Sequence, residues 1–281
     1  MHGPDTRRFA NGMFTNNVRD LPVGAVNRHA IVDDRGRVGG FLTLRCEADD
    51  TFLAVVEGPQ RDALMARLEP FIVFDDVELS AVDGLAWFTV QGEGADAMVK
   101  GVSPGAVRWP RRRSPMGGVD LLVPEAEAEA VWASLLGAGA VAADVASQER
   151  LRVAGGDPVW PRDTGARGLP HELGLRDEML SFDKGCYLGQ ESINRIDVMG
   201  QVRRHLVAVR VAPAAEAPPE GTEIRTEKVV GTLTSPVALP EGGWLGLAVL
   251  RSPANEAGTS VALGPEGIGW SGDVLALPAA L

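Results

Sequence analysis

An α+β fold with a β-rich C-terminal domain is predicted by three features of the chain. Over about the first 200 positions, stretches of helical apolar spacing are interleaved with strand-like runs. After residue 220 the chain is dominated by short apolar runs broken by Gly/Pro turns. Between them lies "APAAEAPPEG" (212–221), the most linker-like segment of the sequence.

The elements follow in order. "AVNRHAIV" and "RVGGFLTLRC" flank "DDRG", so a hairpin with Gly36 in its turn is expected. "TFLAVVEG" reads as a third strand. In "GPQRDALMARLEP" Pro59 suits a first helical turn, Leu64, Met65 and Leu68 share a face, and Pro70 ends the helix. "VELSAVDGLAWFTVQG" is read as two strands around Asp83-Gly84, and "GVDLLV" as another. "PEAEAEAVWASLLGAG" opens with Pro124 and acids, carries Val131, Trp132 and Leu135 as its apolar stripe, and stops at Gly137 or Gly139. "ADVASQERLRVAGG" is a second helix or a helix-to-strand segment. Residues 155–170 carry Pro and Gly too densely for regular structure. Their Trp160 is either a ligand contact or a plug over a core. In "QVRRHLVAVRV", Val207, Val209 and Val211 fall on one strand face, and "TEIRTEKVVGTLTSPV", "GWLGLAVL", "GTSVAL" and "SGDVLAL" complete a small barrel or sandwich.

Composition excludes several function classes. A net charge of −11 argues against general nucleic-acid binding. No run approaches the ~20 apolar residues of a membrane span, and the opening residues lack a signal-peptide core. Two cysteines make no disulfide framework and suit the cytoplasm. Nor can they supply a four-thiolate cluster, and no metal-ligand spacing joins them to the four histidines.

The stretch richest in chemistry is "SFDKGCYLGQESINR" (181–195). Cys186 is a core thiol, a metal ligand or a reactive group. Lys184 supplies a nearby cation, and a helix starting near Gly189 would put a positive helix end beside the sulfur, both of which favour a thiolate. Upstream, Asp163, His171 and Glu172 lie in the Pro/Gly-rich loop. Glu172 is either a helix cap or a carboxylate for an aminopyrimidine-like group. Arg203 and Arg204 meet an anionic ligand or stay solvated. Arg111–Arg113 read as a solvated loop, with gripping a substrate's carboxylates as the alternative.

"KGCYLGQE" (184–191) resembles the signature of the YgfZ-type folate-binding proteins, whose mitochondrial relatives act in iron–sulfur protein maturation. "FANGMFTNNVRDLPVG" (9–24), "ERLRVAGGDPVWPRD" (149–163), "LPHELGL" (169–175), "GQVRRHL" (200–206) and "VGTLTSP" (230–236) extend the similarity over nearly the whole chain. The resemblance implies the three-domain cloverleaf of the glycine cleavage T protein, a tetrahydrofolate-dependent aminomethyltransferase, with a C-terminal β-barrel. The first domain would join 1–45 to 140–200, the second would be 46–139 and the barrel 201–281. It further implies that Glu172 and Arg203 or Arg204, with Trp160, Tyr187 and Gln190, bind a tetrahydrofolate, and that Cys186 and Lys184 carry the chemistry. The chain departs from the T protein at "GRVGGFLTL", where Gly39 and Gly40 stand in place of an acidic pair, one aspartate of which assists methylene transfer. A classical aminomethyltransferase is therefore not expected. Asn17 and Pro161 also depart from the usual aspartate and glycine. The expectation is a cytoplasmic, monomeric, tetrahydrofolate-binding protein that supports assembly or repair of iron–sulfur enzymes, with those enzymes or their assembly factors as partners. A one-carbon transferase and a non-catalytic scaffold are the alternatives.

Overall fold

The structure, a computed structural model, describes residues 1–57, 60–265 and 269–281. The chain folds as two compact units, each built from two separate stretches. One is Met1–Ala81 with Val159–Arg203, and the other is Val82–Pro158 with Arg204–Leu281.

The first unit is organised by the expected hairpin. β1 (Val26–Val32) pairs antiparallel with β2 (Val38–Ala48), which pairs with β3 (Thr51–Val55). Gly36 closes the turn at φ +73°, where a side chain would strain the backbone. α1 (Thr6–Met13) lays Phe9, Ala10 and Met13 against Leu42, Leu44 and Phe52 of the sheet. Burying a Phe, Met or Leu side chain contributes about 1.5–3 kcal/mol. α2 (Gln60–Leu68) buries Leu64 and Leu68 in the same core; Pro59 lies outside the described residues. Residues 77–82 do not form the strand expected before Asp83-Gly84. Glu78 makes only an isolated bridge to His2, whose backbone takes its N–H and C=O. After the irregular loop come α6 (Arg176–Met179) and α7 (Gln190–Met199).

In the second unit, β4 (Leu85–Gln91), β5 (Val107–Pro110) and β6 (Gly118–Pro124) form a sheet in the order β4-β6-β5. α3 (Ala95–Val102) and α4 (Ala128–Gly137) cover it through Val99, Val131 and Leu135. Trp132 is not in that stripe; it is 43% exposed and stacks on Phe88. α5 (Val145–Gly155) is capped by Asp144, whose side chain accepts from Ser147 N–H, and ends at Gly156 in the left-handed region.

The basic run differs from its solvated expectation. It begins directly after β5, and Arg111 is buried with Nη2 2.8 Å from Asp157 Oδ2. Arg113 pairs with the fully buried Asp120 at 2.9 Å, yet burial outweighs that cation and raises the Asp120 carboxyl above its usual range. Arg152 donates to Asp157 O at 2.5 Å and to Ser235 Oγ at 2.7 Å. Charges so deeply buried must be paired, which the run of arginines alone does not disclose.

The C-terminal strands close into a six-stranded barrel. They are β7 (Arg204–Val211), β8 (Glu223–Arg225), β9 (Val229–Ala238), β10 (Trp244–Arg251), β11 (Ser260–Leu263) and β12 (Trp270–Leu275), in the order β10-β7-β12-β11-β8-β9. Val207, Val209 and Val211 point into the barrel core with Leu233, Leu250 and Val274, as their alternation predicts. Among the described residues no helix is long and apolar enough to cross a membrane.

Candidate functional site

The loop before α7 is sewn onto the end of α1. Ser181 N–H donates to Thr15 O and Leu188 N–H to Gly12 O. Lys184 crosses between them: buried, it donates from Nζ to Phe14 O at 2.5 Å and to Asn16 O at 2.8 Å. Its ammonium also lies 4.8 Å from the centre of the Tyr187 ring. Burial without a carboxylate lowers its pKa to about 7.

That anchor holds a polar layer. Asn16 N–H donates to His29 Nδ1 at 3.0 Å, so the ring proton sits on Nε2, which donates to Asn27 Oδ1 at 2.6 Å. Asn27 in turn donates to Asn17 O at 2.7 Å. Complete burial, with the Lys184 charge adding to it, holds His29 neutral well below its usual pKa. Thr15 Oγ1 bonds Ala30 and Met179, and Arg28 reaches Glu178 at 2.5 Å. Sequence reasoning passed over this layer. The signal was Asn27, Arg28 and His29 standing as polar residues in an otherwise apolar strand.

Gly189 sets where α7 begins. It adopts φ +80°, and a Cβ there would collide with Asp33 O and meet Val32 Cγ2 at 3.0 Å, so only glycine lets the loop close on the hairpin turn. α7 then starts at Gln190, as the sequence suggests, with Gln190 N–H bonded to Tyr187 O and Ile193 fully buried.

The two cysteines separate clearly. Cys46 is buried, accepting from Arg7 Nη2 at 3.1 Å and donating to Ala48 O at 3.2 Å. Cys186 is exposed at the loop surface. Tyr187 beside it is buried, its hydroxyl meets no hydrogen-bond partner among the described residues, and burial, with Asp197 adding, raises its pKa to about 12. His171 is also buried, its Nε2 3.7 Å from Asp197 Oδ1; burial lowers its pKa although Asp197 opposes the shift. Arg176 occupies Asp197 and lies over the Phe182 ring.

The remaining candidates are placed as follows. Glu172 is buried in a turn where Oε2 accepts from Leu169 N–H at 3.2 Å. A carboxylate aimed in this way suits a group that presents N–H donors. Trp160 is half-buried, and its carbonyl accepts from Gln60 Nε2 at 3.4 Å. Asp163 folds the loop on itself by accepting from Val159 N–H at 2.9 Å. Arg203 is exposed at the end of the first unit, and Arg204 is half-buried at the start of β7 in the second. Gly39 carries another residue that the sequence did not single out: the Arg67 guanidinium lies where its Cβ would stand. A glycine pair inside a strand was the signal for such a close approach.

Comparison with known proteins follows the same lines. The GCVT N-terminal domain family matches residues 1–109. A putative chloroplastic transferase of Arabidopsis thaliana is 31% identical over 150 residues, 53% of this chain; the match spans 34% of that relative's own length. The tRNA-modifying protein YgfZ of Edwardsiella ictaluri is 27% identical over 278 residues, covering 89% of this chain and 80% of its own. The glycine cleavage system aminomethyltransferase T of Bartonella henselae shares the fold with a TM-score of 0.80 at 18% identity, over 99% of this chain and 82% of that one. The N-terminal domain match, the YgfZ relative aligned over most of both chains and the common architecture agree: residues 1–109 match the GCVT N-terminal domain family, and the whole chain is similar to YgfZ proteins and has the fold of the glycine cleavage T protein.

Proposed function

We propose that the protein binds a tetrahydrofolate and supports the assembly or repair of iron–sulfur enzymes in the cytoplasm. The observation that carries this reading is the intact KGCYLGQE segment, which presents Cys186 at the surface of a loop braced by Lys184, Gly189 and the end of α1. A single exposed thiol makes transient contact with sulfur or a cluster that a partner protein holds. Glu172 supplies a buried carboxylate for the aminopyrimidine edge of the folate, with Trp160, Tyr187, Gln190 and Arg203 or Arg204 as further contacts. The T-protein acids give way to Gly39 and Gly40, with Arg67 on the glycine, which counts against aminomethyl transfer. YgfZ relatives are named as tRNA-modifying proteins. In a chain of net charge −11, such a role is better served through a client enzyme than by gripping RNA directly.

Tetrahydrofolate titration followed by tryptophan fluorescence tests the folate half. Glu172→Gln retains an acceptor for Leu169 N–H but loses the charge. Removing a charged hydrogen-bond partner costs about 1.5–3 kcal/mol, so affinity should fall roughly 10- to 100-fold. No binding by the wild type would remove that half of the proposal. In cells lacking the native protein, Cys186→Ala should fail to restore iron–sulfur enzyme activity; full restoration would remove the thiol role.

A further inference from the structure

Arg67 stands in the last turn of α2 and turns back onto the hairpin. Its Nη2 donates to Val32 O at 2.7 Å, beside the point where the β1–β2 register shifts. A Cβ built at Gly39 would fall on Arg67 Nη1 and lie 3.2 Å from Cζ, so the bare Gly39 backbone is what admits the guanidinium. Gly40, at φ +155°, extends that floor; a Cβ there would meet Ile31 Cδ1 at 3.3 Å and Gln60 Oε1 at 3.5 Å. Gln60, at the other end of α2, donates to the Trp160 carbonyl. The two ends of one helix thus bring a cation and an amide over two adjacent glycines, with Trp160 tied alongside.

The guanidinium is half-buried, and among the described residues no carboxylate pairs with it. Of its five N–H donors, one is accounted for by Val32. A fork of donors on a floor without side chains matches the planar, bidentate shape of a carboxylate. We propose that Arg67, on the Gly39–Gly40 floor with Gln60 beside it, is a carboxylate-binding subsite of the first unit. The carboxylate belongs either to the glutamyl tail of a folate, which rests on the proposed function, or to a separate small acid, which does not. The competing account is that Arg67 only caps the Val32 carbonyl. That account predicts a stability effect without an anion effect.

The experiment titrates the whole protein with acetate at constant ionic strength, balanced with chloride, and follows the amide signals of Gly39 and Gly40 and the Arg67 Nε–H by NMR. Tetrahydrofolate and tetrahydropteroate, which lacks the glutamate, are then titrated in parallel. Two variants are used. Arg67→Gln removes the charge, and Gly39→Ala keeps it but displaces the flexible guanidinium. A glutamyl source predicts that both variants weaken tetrahydrofolate at least tenfold and leave tetrahydropteroate unchanged. A separate acid predicts that acetate binding saturates in the wild type and weakens at least tenfold in both variants, with both folates unaffected. The subsite is overturned if acetate does not saturate and the two folates show no Arg67-dependent difference, or if Arg67→Gln lowers the melting temperature alone. Failure of the wild type to bind tetrahydrofolate would strike the folate reading, while the acetate arm still decides the subsite.

Discussion

Lys184 shows what burial does to one charge. Its side chain has two backbone carbonyls and an aromatic face but no acid, and its pKa falls to about 7. An unfolded lysine holds its proton to about pH 10.4. Between those values the unfolded chain binds more protons, so the stability due to this residue rises with pH from about 7 to about 10. Tyr187 acts oppositely above that range. Its folded phenol keeps the proton to about 12, so stability falls between about 10 and 12. Urea midpoints of wild type and Lys184→Met should therefore diverge between pH 7 and 10, with only the wild type gaining. Parallel curves would show that the folded lysine stays charged. Next to Cys186 in the sequence, Lys184 reads as a cation for the thiol. Its Nζ partners, Phe14 and Asn16, lie 170 and 168 positions away, where no local pattern reaches.

At the scale of elements, the start of α7 depends on Gly189. Gly189→Ala would force a side chain into φ +80°, at about 1–3 kcal/mol, and drive its Cβ into the Asp33 carbonyl. Chemical denaturation should show at least that loss. Gly12→Ala, inside α1 with nothing within 4 Å of its Cβ, should instead stabilise by about 1 kcal/mol. A silent Gly189→Ala would mean that the loop does not close on the hairpin turn as described. Hairpin, helix α7 and the alternating face of β7 were legible because each is written in spacings of two to four residues. The strand expected before Asp83 was not formed, since its backbone partner, His2, belongs to a distant segment that periodicity does not register.

Across the whole molecule, the second unit depends on charges as well as on apolar packing. Arg111, Arg113, Asp120, Arg152 and Asp157 join β5, β6 and α5 to Ser235 of the barrel strand β9. Breaking a buried pair leaves its partner uncompensated, at about 3–5 kcal/mol. Asp157→Ala should lower the unfolding free energy from urea denaturation by that amount, and Arg112→Ala, in the same basic run, should change it by less than about 0.5 kcal/mol. Equal effects would show that Arg111 is solvated after all. The barrel itself was readable from short alternating strands; its closed order β10-β7-β12-β11-β8-β9 was not, because non-neighbouring strands carry no mutual label. The T-protein architecture entered instead through the motifs, whose glycines and lysine record long-range contacts.

The interleaving of the two units has a consequence for synthesis. Met1–Ala81 leaves the ribosome well before Val159–Arg203, which completes the same unit. Until Lys184 emerges, the carbonyls of Phe14 and Asn16 have no ammonium to receive, and Thr15 Oγ1 lacks the Met179 carbonyl. The apolar cluster of Phe9, Leu42, Leu44, Phe52 and Leu68 lies within Met1–Ala81, so what the nascent chain carries incomplete through the translation of 82–158 is the polar layer beside it. This interval is when the protein is most open to chaperones, and to aggregation.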